Sequence, residues 1–326
     1  MNKLLKLLCA IILIQTSCST DVDLIAPYKE IPVVYGLLNT ADSIQYIRIN
    51  RAFLGEGNAY VMAQSPDSFN YPDILDVKIE RIKGSSVLQS INLSRDTVTL
   101  DPGIFATQNN IVYVTSHDSI YQDSEYKLTI TNKQTGAVIT SQTPVVDKIT
   151  VDYPPSFGTI NFGDYSFPFT AKWYPATDGR IYDLTIRFYY NEWPALDPTQ
   201  NTLKFADWHF AEVESTNPTT PLTIAINCED FYRFVKSNVD EDNTLRRAFN
   251  KLDFVFTVGA DVLYTYSLVN QPPSGIAQSI PDYTNINGGI GVFSSRFTQT
   301  IAGKQLDTQS SDSLKHGIYT GNLGFQ

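Results

Sequence analysis

Two tryptophans sit among groups that could hold a sugar. Trp193 lies in Tyr189-Tyr190-Asn191-Glu192-Trp193-Pro194, and Trp208 in Asp207-Trp208-His209-Phe210. A flat ring stacks on the CH groups of a pyranose while carboxylates and amides fix its hydroxyls, so Trp193, Trp208 and Glu192 are the candidate ligand-binding residues. The same rings would also serve to fill a β-rich core, and alternating patterns surround both. Trp193, beside Pro194 at a strand end, is the one expected to stay exposed. A glycan hydrolase would need two carboxylates facing one cleft about 5–10 Å apart, and the sequence nominates no such pair.

Other reactive groups point less far. The three histidines, His117, His209 and His316, stand at neither helical nor hairpin spacing from one another, and no HExxH or GxSxG segment is present. Cys228, at the start of an expected helix, could have a depressed pKa or pair with His209. Following Ile224-Ala225-Ile226, it reads more simply as a small core residue. Asp240-Glu241-Asp242-Asn243 clusters oxygen ligands, but Leu245 stands where an EF-hand loop needs glycine, so helix capping is the expected role. Gly55-Glu56-Gly57 and Gly288-Gly289-Ile290-Gly291 lack the strand–turn–helix context of a dinucleotide site. The residues therefore imply no catalytic group, no metal and no cofactor.

The N-terminus carries a different kind of chemistry. Lys3 and Lys6 precede an apolar run from Leu4 to Ile14, and small residues lead to Cys18. The run is too short for a permanent bilayer-spanning helix and has the layout of an export signal. It is similar to a bacterial lipoprotein signal, although Gln15 replaces the usual apolar residue. On this reading residues 1–17 are removed, Cys18 is acylated, and residues 18–30 form a polar tether. Each buried CH₂ of an acyl chain adds about 0.8 kcal/mol of membrane affinity, so several chains hold far better than one. The expected location is the outer membrane, with the periplasmic and surface faces both open. A formal charge of −10 and the lack of a polybasic patch argue against nucleic acid as a partner. Membrane contact should then come from the lipid alone. Cys9 falls in the signal, which leaves Cys228 with no disulfide partner in the mature chain. The fold must be stabilised by its own core.

The elements that would position these residues are mostly strands. Ile44–Asn50 alternates, Asp76–Ile82 puts Val77 and Ile79 inward, and Gly84-Ser85 turns the chain into Val87–Leu93. Ile111–Thr115, Glu125–Thr131 and Ala137–Ser141 continue the pattern. Residues 31–146 thus read as an immunoglobulin-like antiparallel β-sandwich. Pro144 and Tyr153-Pro154-Pro155 mark a boundary. Residues 147–326 read as a larger, aromatic-rich α+β domain, mainly β, with two or three short helices. Its expected strands are Phe167–Trp173, Ile181–Tyr190, Leu203–Val213 and Leu252–Val258. Expected helices begin after Asn227, run from Asp242 or Asn243 to near Phe249, and span Asp261–Val269; Gln271–Gly275 is loop.

Asn285-Ile286-Asn287-Gly288-Gly289-Ile290-Gly291-Val292-Phe293 resembles the C-terminal NIxxGxGxF signature of a family of Bacteroidetes lipoproteins commonly encoded beside TonB-dependent outer-membrane receptors. Pro32–Leu38, Ile47–Phe53 and Trp173-Tyr174-Pro175 are similar to the same family. The resemblance supplies no catalytic residues and implies an envelope accessory. The glycines have a backbone explanation: they allow close approach while Ile290, Val292 and Phe293 enter the core. The leading expectation is a non-enzymatic lipoprotein that binds a glycan or other nutrient as the partner of a TonB-dependent transporter. An adhesin-like structural lipoprotein is the alternative, and a glycan-directed hydrolase a more distant one.

Overall fold

In the computed structural model, the described residues are 30–52, 58–116, 120–215, 217–270 and 283–326. Cys18, the leader, the tether up to residue 29, Gly55–Gly57, His117 and the Gln271–Gly275 segment lie outside them. No helix among the described residues is long and apolar enough to cross a membrane.

The protein is mainly β. The strands are β1 (Pro32–Leu38), β2 (Tyr46–Arg51), β3 (Leu75–Lys83), β4 (Ser86–Asn92), β5 (Ser94–Val98), β6 (Asn110–Val114), β7 (Glu125–Asn132), β8 (Val138–Pro144), β9 (Thr150–Tyr153), β10 (Thr159–Ile160), β11 (Phe169–Tyr174), β12 (Gly179–Pro194), β13 (Thr202–His209), β14 (Val213–Glu214), β15 (Leu222–Ile226), β16 (Leu245–Ala260) and β17 (Ile290–Leu306). The helices are α1 (Ala59–Ala63), α2 (Pro66–Phe69), α3 (Cys228–Asn238), α4 (Asp261–Val269) and α5 (Thr308–His316).

A 10-stranded sheet runs through the molecule in the order β13-β12-β16-β17-β1-β2-β6-β5, with β10 and β14 on its flanks. A 4-stranded sheet, β4-β3-β7-β8, and a 3-stranded sheet, β15-β11-β9, each close a separate core against it. The first core gathers Val34, Ile47, Ile49, Val77, Ile79, Leu128 and Ile130, and the alternation seen in the sequence follows directly from burial of one face. The second gathers Trp173, Leu184, Phe188, Phe231, Leu252, Phe254 and Phe256. The chain passes between them at consecutive residues: Val145 belongs to the first core and Val146 to the second.

Strand β17 joins the two. It pairs in parallel with β1 over Val33–Leu38 and antiparallel with β16 farther along. Phe293 and Phe297, on one face of β17, enter the first and second cores respectively. Between them the Ser295 hydroxyl accepts from Val146 N–H at 3.0 Å and donates to Pro144 O at 2.7 Å. Ile286, from the same distant part of the chain, also lies in the first core. Residues 31–326 form one compact unit.

The glycine-rich segment makes this junction possible. Gly291 has φ 113°, and a Cβ there would stand 2.1 Å from Val34 O, so only glycine lets β17 approach β1. Asn285 acts as a surrogate strand: its side chain accepts from Phe293 N–H at 2.9 Å and donates to Phe293 O at 2.7 Å. Asn287 bridges Thr140 of β8. Val292 and Phe293 are buried as expected; Ile290 is 45 % exposed and does not enter the core.

One expected helix is absent. Leu245–Phe249 begins β16, because Trp193, Glu192 and Tyr190 of β12 pair with Arg246, Arg247 and Phe249. Asp242 caps no helix; its carboxylate accepts from Thr244 N–H at 2.8 Å and closes a turn into the strand. The other two helices, after Asn227 and over Asp261–Val269, form α3 and α4. Helices α1, α2 and α5 add to them.

Candidate binding cleft beside helix α3

Helix α3 has an apolar stripe, Phe231 and Val235, packed into the second core. Glu229 and Asp230 occupy its first turn, where negative charge suits the helix dipole, and Lys236 its last. Phe234, on the flank of that stripe, faces β13. Register with Ile186 turns Trp208 toward the core side of the sheet, directly under the helix. The Trp208 and Phe234 rings stack 5.3 Å apart at 10°, and Phe210 lies 4.7 Å from Trp208.

These three half-buried rings floor a cleft of about 580 Å³. Its rim carries Asn227, Asp230, Arg233 and Asn238. Asn227 donates to the Asp230 carboxylate at 3.2 Å, and Asn238 donates to Phe234 O at 2.8 Å. Arg233 bonds Glu229 at 3.0 Å and lies over the Tyr319 ring at 4.7 Å. Hydrogen bonds from Tyr319 and Arg233 hold the Glu229 carboxyl below its ordinary range. The arrangement offers ring faces beside amide, carboxylate and guanidinium groups, which suits a ligand with apolar CH faces and hydroxyls. Asp230 is the one carboxylate lining the cleft among the described residues.

The three candidate residues do not converge. Trp208 lies in the cleft. Glu192 is on the core face but buried, ion-paired with Lys204 and with Arg247 at 2.8 Å. Burial opposes its ionisation, yet the hydrogen bonds from Lys204 and Arg247 prevail and hold its carboxyl below the usual range. It is structural and cannot reach a ligand in the cleft. Trp193, one residue on, points to the opposite face of the sheet and is half-buried. On that face Arg187 makes a bidentate pair with Asp207 at 2.6 and 2.7 Å and covers the Phe205 ring, while Lys251 lies 4.4 Å from the Tyr189 centroid.

The remaining sequence candidates are dispersed. The Cys228 thiol is buried 3.4 Å from Phe167 O, and burial pushes its pKa up, opposite to an activated nucleophile. His209 is exposed and bonds Thr185 on the far face of the sheet, so it forms no pair with Cys228. His316 pairs with Asp312 one helical turn away. No group of three or more His, Cys, Asp or Glu side chains among the described residues is placed to hold a metal ion. Sequence reasoning missed Phe234, Phe210 and the polar rim. The rim was partly legible, because Asp230, Arg233 and Ser237 recur at helical spacing beside the apolar stripe.

No family model and no curated protein matches the chain. Among solved structures it is similar, at 8% identity and a TM-score of 0.17, to one described as "Biofilm associated protein - BSP domain". The match covers 93% of this chain and 64% of that one, so the chain spans just under two thirds of that protein's length. At that score the likeness carries neither fold nor role.

Proposed function

We propose that this chain is a non-enzymatic envelope lipoprotein, anchored to the outer membrane through acyl chains on Cys18, that captures a ligand as the partner of a TonB-dependent transporter. The observation that carries the binding step is the Trp208–Phe210–Phe234 floor beside Asn227, Asp230, Arg233 and Asn238. Rings and hydrogen-bonding groups meet there, and a single lining carboxylate favours capture over hydrolysis, which needs two. The lipoprotein signal and the Asn285–Phe293 resemblance support the envelope setting and the transporter partner.

The cleft is tested with a glycan array read by the purified protein, followed by titration of its best oligosaccharide against tryptophan fluorescence. Binding weakened at least tenfold by Trp208→Ala, and unchanged by Trp193→Ala, is expected. An array on which wild type and Trp208→Ala behave alike would overturn the cleft reading. The two cores joined through one continuous strand favour the adhesin-like alternative if no soluble ligand binds, since such a body resists separation of its halves.

A further inference from the structure

Strand β13 ends the 10-stranded sheet, and among the described residues no strand pairs with its outer side. Its register with β12 runs from Thr185↔His209 to Glu192↔Thr202 without a shift. Phe210 N–H donates to Leu184 O at 3.1 Å, which marks the hydrogen-bonded pairs of this ladder. In an antiparallel ladder such pairs alternate, so Trp208, Ala206 and Lys204 direct their backbone groups at β12. Leu203, Phe205, Asp207 and His209 then direct theirs, N–H and C=O alike, off the open edge.

Open edges are normally guarded by proline, bulges or outward charges. Thr202–His209 contains neither proline nor glycine. Its two ionic side chains are folded back onto the sheet, Lys204 to Glu192 and Asp207 to Arg187. Leu203 and Phe205 are 58% and 57% exposed. The edge is free of bulges, unguarded and bordered by apolar side chains, which is the arrangement that accepts an added strand.

We infer that β13 is a docking edge for an extended segment of a partner polypeptide, apolar beside Leu203 and Phe205 and cationic near His209. The cationic position follows from Asp183 and Glu212. Half-buried Asp183 and exposed Glu212 lie close enough to each other and to His209 to interact electrostatically, and neither has an ion-pair partner among the described residues. A second copy of the chain fits less well, because each copy carries a formal charge of −10 and β13 itself brings no free cation.

The test is selection of phage-displayed random dodecamers on the immobilised protein, with Phe205→Pro as counter-target. Proline at residue 205 removes an outward N–H and no bond to β12. Leu203→Lys/Phe205→Lys, which restores guarding charges, is the second variant, and both are checked by thermal unfolding. Enrichment of β-branched, alternating sequences with a terminal Lys or Arg, with affinity reduced at least tenfold in both variants, is expected. Equal enrichment on wild type and on a folded variant would overturn the inference. So would a wild-type dimer in sedimentation that either variant abolishes, because the occupant would then be a second copy.

Discussion

Arg247 has 1% of its surface exposed, yet it holds three parts of the chain. Its guanidinium pairs with Glu192 and donates to Leu323 O, while its backbone N–H bonds Gly324 O. Breaking a buried pair from one side leaves an uncompensated charge, so Arg247→Ala should cost about 3–5 kcal/mol in urea unfolding. Glu192→Leu/Arg247→Met should recover much of that loss, because it removes both charges together. Glu192 also sets a pH dependence. Its folded pKa is lowered, so its contribution is complete above the ordinary carboxylate value of about 4 and is lost as pH falls through the folded value. Glu192→Gln should therefore show a flatter acid limb in urea midpoints measured against pH. Lys304 is also buried, but its ammonium donates to three carbonyls, those of Pro155, Phe157 and Gly158. Lys304→Met should cost about 1–3 kcal/mol by orphaning them. The sequence suggested Glu192 as a ligand group because it adjoins Trp193. Alternation along β12 instead sends neighbours to opposite faces, and the partners that claim Glu192 lie 12 and 55 residues away.

At the level of elements, the strand pattern was readable wherever one face is buried and the other wet, as in β3, β7 and β12. It failed where pairing overrode local preference. Asp242–Phe249 carries a plausible cap and helix-compatible residues, but β12 recruits Leu245–Phe249 as a strand and Asp242 closes the turn before it. The parallel contact of β17 with β1 was equally invisible, because it joins segments some 250 residues apart and leaves only glycines as a trace. Gly291 and Gly303 separate the two uses of glycine. Both have positive φ, but a Cβ at Gly303 meets nothing within 4 Å, whereas at Gly291 it meets Val34 O at 2.1 Å. Gly303→Ala should cost about 1 kcal/mol from backbone strain alone. Gly291→Ala should cost about 3 kcal/mol or more, since the β1–β17 pairing must open. Thermal melts of the two variants check the contrast. The cleft was half legible for a related reason: Trp208 announced itself, but Phe234 reaches it from a helix that the sequence placed without saying which strand it covers.

For the whole molecule, β17 makes the two cores interdependent. A fragment of residues 30–146 lacks Ile286, Phe293 and the strand beside β1, so it should show no cooperative melt by circular dichroism. The intact chain should melt in one transition. A cooperative transition in the fragment would mean that the first core is closed without β17. This coupled body carries a cleft beside α3 on one side of the long sheet and an open edge at β13. The most direct test of the proposed role is affinity capture of the full-length protein, extracted in mild detergent from the membranes of cells that make it, with mass spectrometry of what accompanies it. The account predicts a TonB-dependent receptor in stoichiometric amount, lost when Cys18→Ser frees the protein from the membrane. Recovery of the lipoprotein alone from intact membranes would contradict it.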